Sequence, residues 1–166
     1  MEAVTIISVA YQSGAVLPQM LGSIPPKTPV VIVNNSQSDE TEIAGIAHDF
    51  GAQLVQSGIN AGFGTGCNIG AQKAETDYLL FLNPDASLTP QTLNALLEAS
   101  TRHPLASAFN PVIRGLSGKA RLRKRSRVKA SWFKRAGALP EDDCEVTGLS
   151  GAALFVRRAD FEAVGG

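Results

Sequence analysis

The chain has 166 residues and a formal net charge of zero, with 44% hydrophobic and 18% charged residues. These values indicate one globular domain with a substantial core and exclude a disordered chain. Two cysteines, no basic leader and no apolar run of roughly 18–20 residues favour a cytoplasmic domain over residues 1–166, without a disulfide framework, signal peptide or membrane span.

Apolar runs and helical spacings alternate along the chain. The predicted strands cover residues 4–10, 30–33, 52–56, 78–82, 105–113 and 152–156. The predicted helices cover residues 15–24, 39–49, 67–74, 89–102 and 160–164. Asp39 with Glu42 resembles a capping box, and Thr89 with Pro90 resembles a helix start. The alternation predicts an α/β fold with a mostly parallel central sheet and helices on both faces.

One segment carries most of the positive charge. From Arg114 to Arg135 (residues 114–135) there are ten basic residues and no acidic one, whereas the remainder has five basic and fifteen acidic residues. We expect a basic loop within the domain. A localised basic block points to an anionic partner, and the alternative is a solvated loop. Nucleic acid is disfavoured, because no known binding motif accompanies the block.

Polar residues follow three predicted strands where each strand ends. They are Tyr11-Gln12, Asn34-Asn35-Ser36 and Asn83-Pro84-Asp85. Because the carboxyl ends of parallel strands share one edge, these loops and the glycine-rich residues 58–66 are expected to line one crevice. Amides for a base, bare glycine backbone and oxygen ligands for Mg2+ or Mn2+ fit a nucleoside diphosphate. The alternative is a set of polar turns leaving core strands.

The glycine-rich loop also permits a different interpretation. Gly64-Thr65-Gly66-Cys67-Asn68-Ile69-Gly70 is close to the fingerprint of Rossmann NAD(P)-binding domains, and Asp85 follows at about the spacing of the ribose-binding acid. The match fails at Ile69, where the pattern requires Gly or Ala. The segment also lies in the third βα unit, whereas the fingerprint normally occupies the first.

Five segments in order resemble family 2 glycosyltransferases, most closely the rhamnosyltransferase-type branch. They are Val4-Thr5-Ile6-Ile7-Ser8-Val9, Val31-Ile32-Val33-Asn34-Asn35-Ser36, Asn60-Ala61-Gly62-Phe63-Gly64 with Asn68-Ile69-Gly70, Phe81-Leu82-Asn83-Pro84-Asp85, and Gly151-Ala152-Ala153-Leu154-Phe155-Val156-Arg157-Arg158. The resemblance covers nearly the whole chain. It implies a GT-A fold, a dTDP- or UDP-linked sugar donor, a divalent metal (Mn2+ or Mg2+), and inversion at the sugar carbon. It also implies a role in cell wall or polysaccharide biosynthesis.

The resemblance assigns roles by position. The implied nucleotide-binding residues are Ala10, Tyr11, Asn34, Asn35, Asn60, Gly62, Phe63, Asn68 and Asn83. Asp85 would be the main metal ligand, because Asn83 replaces the first acid of the family's D-x-D-like motif. Asn34 likewise stands where the family usually has an Asp that reads the base. Ser150 and Gly151 would lie near the donor sugar or acceptor.

The resemblance also implies a region after Gly166 that contains the general base, and no residue of this chain matches that base. We therefore expect donor binding, with turnover by residues 1–166 open. A non-catalytic nucleotide-sugar-binding module is the alternative. The basic block could bind the donor diphosphate, or an anionic membrane carrying a lipid-linked acceptor. Apolar surface left uncovered could favour a homo-oligomer.

Overall fold

The computed structural model describes residues 3–115, 117–118, 142–146 and 148–166. Its strands are β1 (Val4–Ala10), β2 (Val30–Asn34), β3 (Gln53–Gln56), β4 (Tyr78–Leu82), β5 (Ala108–Phe109) and β6 (Ala153–Arg157). Its helices are α1 (Leu17–Gly22), α2 (Glu40–Asp49), α3 (Phe63–Ala71), α4 (Thr92–Arg102) and α5 (Arg158–Ala163). The alternation predicted from the sequence is therefore confirmed over the described part of the chain.

The strands form a mixed, mostly parallel sheet in the order β3-β2-β1-β4-β6-β5. β1 pairs in parallel with β2 and β4, and β2 with β3, while β6 runs antiparallel to both β4 and β5. Ala10 lies opposite Asn34 in the β1–β2 register. The carboxyl ends of β1, β2 and β4 therefore meet at one edge, which confirms that the loops after them share that edge.

Helices cover both faces of the sheet. On one face, α1, α2 and α4 bury apolar side chains such as Leu17, Ile43 and Leu96 against the strands. On the other face, α3 contributes Cys67 and Ala71 to a second core, against which Phe161 of α5 packs. Because the central strands are covered on both faces, their sequences are apolar without alternation. No helix in the described ranges is long and apolar enough to cross a membrane.

Helix α3 lies close to the sheet because it carries glycines where it meets the strands. A Cβ at Gly66 would lie 2.7 Å from a Val9 methyl, and one at Gly70 would lie 2.3 Å from an Ile7 methyl. The helix begins at Phe63, four residues before the predicted start, so much of the glycine-rich stretch is helical. This placement argues against the dinucleotide fingerprint, which requires its first glycines in a phosphate-binding turn.

Other boundaries differ from the sequence prediction for local reasons. β5 has two residues instead of the predicted nine, since Pro111 lacks the N–H that a longer ladder requires. Asp39 precedes α2, but its side chain makes no capping bond, so the capping box is wrong. Helix α4 begins at Thr92 with Gln91 before it, so the start predicted at Thr89 is also wrong.

The described residues after the basic block are tied back to α4. Asp143 accepts a 2.7 Å hydrogen bond from the Arg102 guanidinium and lies 3.1 Å from His103 Nε2. The bond from Arg102 holds the pKa of Asp143 below its ordinary value. Most of the predicted basic loop, residues 116 and 119–135, lies outside the described residues.

Candidate functional site

The loop after β2 joins two other elements through Asn35. The Asn35 backbone N–H donates to the Ala10 carbonyl at 2.8 Å, and Asn35 Nδ2 donates to the Gly62 carbonyl at 3.0 Å. Asn35 is only 3% exposed. One buried residue, through its backbone N–H and its side-chain amide, therefore holds the end of β1 and the loop before α3 together at the edge of the sheet.

Asn34 uses its side chain inside its own loop. Its Oδ1 accepts from the Ser36 N–H at 3.0 Å, and its Nδ2 donates to Asp39 Oδ1 at 3.2 Å. Asn34 is fully buried. Asn34 thus braces the loop and positions Asp39, a residue to which sequence reasoning assigned only a capping role. The signal for Asp39 was its place in the same polar loop, five residues after Asn34.

Two acceptor atoms in this loop remain unpaired. Asn35 Oδ1 and Asp39 Oδ2 are buried and have no hydrogen-bond partner among the described residues. Buried polar atoms in native proteins are nearly always paired, so an orphaned pair in one loop indicates a place for a donor group from a ligand. This is the strongest sign of ligand binding at the sheet edge.

Exposed rings lie at the rim of the site. Tyr11 is 51% exposed, and its backbone is held in a turn because its N–H donates to Ser13 Oγ at 3.0 Å. Phe63, at the start of α3, is 48% exposed. Asn60 Oδ1 accepts from the Gly62 N–H at 3.2 Å, and Gly62 has a φ of 82°, which favours glycine. Asn60 thereby shapes the loop that leads into Phe63.

The turn before β6 completes the same edge. A Cβ at Gly151 would lie 3.4 Å from the Phe63 ring, so these two residues are neighbours. The Asn83 N–H donates to the Ala152 carbonyl at 3.0 Å, which links the turn to the end of β4. A chain of contacts therefore runs from Ala10 and Asn35 through the glycine loop and the residues 150–153 to the Asn83 turn.

Asp85 projects from the turn after β4. The Ala86 N–H donates to the Asn83 carbonyl at 3.0 Å and closes this turn. Asp85 is exposed and makes no ion pair or side-chain hydrogen bond with the described residues. Within the described ranges no cluster of three or more His, Cys, Asp or Glu could hold a metal. One carboxylate and one amide nevertheless suit Mg2+ or Mn2+, which share their coordination shell with substrate phosphates.

Asn68 lies on a separate cavity. This cavity of about 200 Å³ is lined by Phe63, Gly64, Cys67, Asn68, Phe81, Leu154, Phe161 and Gly166. Burial raises the pKa of Cys67 to about 12, so its thiol is neutral and is not a nucleophile. Among the described residues, Phe63 and Gly64 of the glycine loop belong to both this cavity and the chain of contacts at the sheet edge, whereas Asn68 belongs to the cavity. The nucleotide role predicted for Asn68 therefore stays a prediction.

Asn110 is a second residue that sequence reasoning missed. Its carboxamide bonds both the N–H and the carbonyl of Ser150, which is forty positions away. No local pattern could have indicated this pairing, because it depends on how β5 meets β6.

The sequence matches Glycosyl transferase family 2 over residues 5–165. An N-acetylglucosaminyl-diphospho-decaprenol L-rhamnosyltransferase of Mycobacterium tuberculosis is 27% identical over 198 residues, covering 99% of this chain and 64% of the relative. An uncharacterized glycosyltransferase of Haemophilus influenzae is 26% identical over 103 residues, covering 60% of this chain and 35% of that protein. The chain thus spans 64% of the length of the rhamnosyltransferase.

Solved structures show the same fold. TarS 1-349 of S. aureus in complex with UDP-GlcNAc aligns with a TM-score of 0.70 at 20% identity, covering 98% of this chain and 47% of TarS. The mannosyltransferase PcManGT of Pyrobaculum calidifontis, in complex with GDP-Man and Mn2+, aligns with a TM-score of 0.56 at 20% identity, covering 63% of this chain and 34% of that protein. The fold is that of GT-A glycosyltransferases, as expected.

Proposed function

The chain belongs to glycosyl transferase family 2, and on that premise we propose that its sheet-edge crevice binds a nucleotide-diphosphate sugar for transfer to an acceptor. The observation that carries the proposal is the orphaned pair of buried acceptors, Asn35 Oδ1 and Asp39 Oδ2. Leaving such atoms unpaired costs about 1–3 kcal/mol each, and a donor on the ligand removes that cost.

The same atoms favour a uracil or thymine base. The imide N–H of these bases is a donor, whereas the corresponding ring nitrogen of cytosine is an acceptor. We propose that one of the two acceptors receives this N–H of UDP or dTDP; at the same ring position CDP has no hydrogen to donate, and its donor is the exocyclic amine. The exposed ring of Tyr11 at the rim supplies a surface on which the base stacks. Complexes of TarS with UDP-GlcNAc and with UDP are consistent with this choice.

Asp85 and Asn83 are the residues proposed to hold a divalent cation. Both lie in one turn at the carboxyl end of β4, and the Asp85 carboxylate is exposed. Mn2+ or Mg2+ bound there would supply positive charge to the diphosphate as it leaves. The Mn2+ in the PcManGT complex is consistent with this assignment.

The proposed reaction inverts the sugar carbon. The acceptor hydroxyl oxygen attacks the anomeric carbon from the face opposite the diphosphate. A new C–O bond forms while the bond to the diphosphate oxygen breaks, and the nucleoside diphosphate leaves with the electron pair. The hydroxyl proton passes to a general base, a role for which no residue of this chain is proposed. Ser150 and Gly151, beside Phe63 and the Asn83 turn, are proposed to lie near the donor sugar or the acceptor.

A lipid-linked acceptor at an anionic membrane is proposed from the charge distribution. The basic block carries ten positive charges within residues 114–135. The M. tuberculosis relative is named for a diphospho-decaprenol acceptor, which would sit in such a membrane. Positively charged segments bind anionic lipid with about 1 kcal/mol per Lys or Arg.

A nucleotide-binding panel tests the proposal directly. We expect calorimetry with UDP, dTDP, GDP, CDP and NAD to give the tightest binding for UDP or dTDP, with higher affinity in Mn2+ than in EDTA. CDP should bind more weakly than UDP, because its ring nitrogen cannot donate to the acceptor that takes the imide N–H of uracil. Tight NAD binding, or equal affinities for UDP and CDP, would contradict the proposed site. UDP binding without transfer or donor hydrolysis would instead support the non-catalytic module.

A further inference from the structure

Asn110 stands directly after β5 and joins two stretches of chain that are forty positions apart. Its Nδ2 donates to the Ser150 carbonyl at 3.0 Å and to the Ala153 carbonyl, and its Oδ1 accepts from the Ser150 N–H at 2.5 Å. These bonds use both N–H groups of the carboxamide as well as its oxygen. One half-buried side chain therefore fixes the start and the end of the turn before β6.

The turn formed by residues 150–153 also fixes the end of β4. The Ala152 carbonyl accepts from the Asn83 N–H at 3.0 Å, and the Asn83 carbonyl accepts from the Ala86 N–H at 3.0 Å. Asp85 lies within this closed turn. A displacement of residues 150–153 would therefore shift Asn83 and, through the turn, the carboxylate of Asp85.

Ser150 is aligned by the same bonds. Its Oγ accepts from the Ala152 N–H at 3.3 Å, which leaves the hydroxyl hydrogen available to donate. Gly151, the next residue, faces the Phe63 ring. The turn that Asn110 holds thus carries the hydroxyl and the bare backbone nearest to the proposed donor site.

We infer that Asn110 is a positioning residue whose carboxamide sets the Asn83–Asp85 turn and Ser150 for the diphosphate and its cation. The inference rests on the proposed function, since it assigns the diphosphate side of that crevice. In this proposal Asn35 and Asp39 contact the base, whereas Asn110 acts on the metal-binding turn through the backbone bond between Ala152 and Asn83.

The test compares Asn110→Ala with Asn94→Ala, a matched change at an exposed asparagine of α4 whose side chain makes no hydrogen bond within the described ranges. The affinity of the 166-residue chain for UDP is measured by calorimetry in Mn2+ and in EDTA. For Asn110→Ala we expect the Mn2+-dependent gain in affinity to fall about tenfold, with the EDTA affinity changed less than twofold. Asn94→Ala should keep both values.

A second variant guards against loss of folding. Asn110→Asp keeps the acceptor for the Ser150 N–H but removes both donors, and it should lower the same gain. An unchanged gain in either folded variant would overturn the inference, as would a parallel loss in Mn2+ and EDTA, which indicates a merely structural role. A wild-type chain that binds UDP without any gain from Mn2+ would overturn it together with the metal assignment. A wild-type chain that binds no nucleotide would instead refute the proposed function itself.

Discussion

Asp85 is the residue on which the metal assignment depends. Its carboxylate is exposed and lies in the turn after β4, whereas Asp77, also exposed, lies at the opposite end of the same strand. We predict that Asp85→Ala removes the Mn2+-dependent part of UDP affinity, because Asn83 alone provides no charge for a cation. Calorimetry in Mn2+ and EDTA measures the difference.

Asp77→Ala is the matched control, since it deletes the same carboxylate next to the other end of β4, away from the crevice. It should leave UDP affinity unchanged under both conditions. A full Mn2+ gain in Asp85→Ala would place the cation elsewhere. Equal losses in the two variants would point to a general effect of net charge.

The two cysteines should differ sharply in reactivity. Burial raises the pKa of Cys67 to about 12, so at about pH 8 roughly one thiol in 10⁴ is ionised, while Cys144 is exposed. We predict that a thiol-specific disulfide reagent labels one cysteine quickly in the folded chain and two after unfolding. Cys144→Ser should abolish the fast phase, and Cys67→Ser should retain it. Fast labelling of folded Cys144→Ser would contradict the buried, neutral state of Cys67.

At the scale of elements, the fit of α3 on the sheet depends on its glycines. An alanine Cβ at position 70 would lie 2.3 Å from a methyl of Ile7 and 3.3 Å from one of Val33, whereas at position 64 nothing lies within 4 Å. We predict that Gly70→Ala lowers the free energy of unfolding by about 1–3 kcal/mol through overpacking. Urea denaturation monitored by circular dichroism gives this value.

Gly64→Ala provides the control within the same helix. Alanine has the higher helix propensity by up to about 1 kcal/mol, so this variant should be neutral or slightly more stable. Equal destabilisation by both changes would mean that α3 does not pack against β1 and β2 as described.

The strands of the sheet and the loops at their carboxyl ends could be predicted from the sequence, for physical reasons. Buried parallel strands have unbroken apolar sequences, and polar residues mark their ends, so the sequence alone places Asn35 and Asn83 at one edge of the sheet. The glycines before and in α3 were harder to interpret. Gly62 takes a left-handed backbone, while Gly66 and Gly70 serve packing, and only the strands they meet distinguish these uses.

Long-range and loop-internal hydrogen bonds could not be predicted. The bonds from Asn110 to Ser150 depend on the antiparallel pairing of β5 with β6, which no local pattern encodes. The position of Asn34 at the end of β2 was predicted, but the hydrogen bond from its side chain to Asp39 was not. A sequence pattern thus locates the loops of the crevice, and tertiary contacts decide which atoms in them remain free.

At the scale of the whole molecule, the charges separate into one basic segment and an acidic remainder. Residues 114–135 carry ten of the 15 basic residues, and the rest of the chain is acidic. If this block holds the protein at an anionic bilayer, binding to vesicles must weaken as salt screens the charges. We predict co-sedimentation with anionic vesicles at low salt, little with phosphatidylcholine vesicles, and release at high salt.

A charge-matched pair of variants separates the basic block from net charge. Lys124→Gln with Lys129→Gln removes two charges from the block, and Lys27→Gln with Lys73→Gln removes two from exposed positions elsewhere. At about 1 kcal/mol for each lysine, the first pair should weaken vesicle binding roughly 30-fold and the second pair much less. Equal weakening by both pairs would assign the attraction to overall charge, and the absence of binding at low salt would remove the membrane from the proposal. UDP affinity measured on the same two pairs separates the two proposed roles of the block. Equal UDP affinity in both pairs would leave the block with the membrane, whereas a loss confined to Lys124→Gln with Lys129→Gln would assign the block to the donor diphosphate.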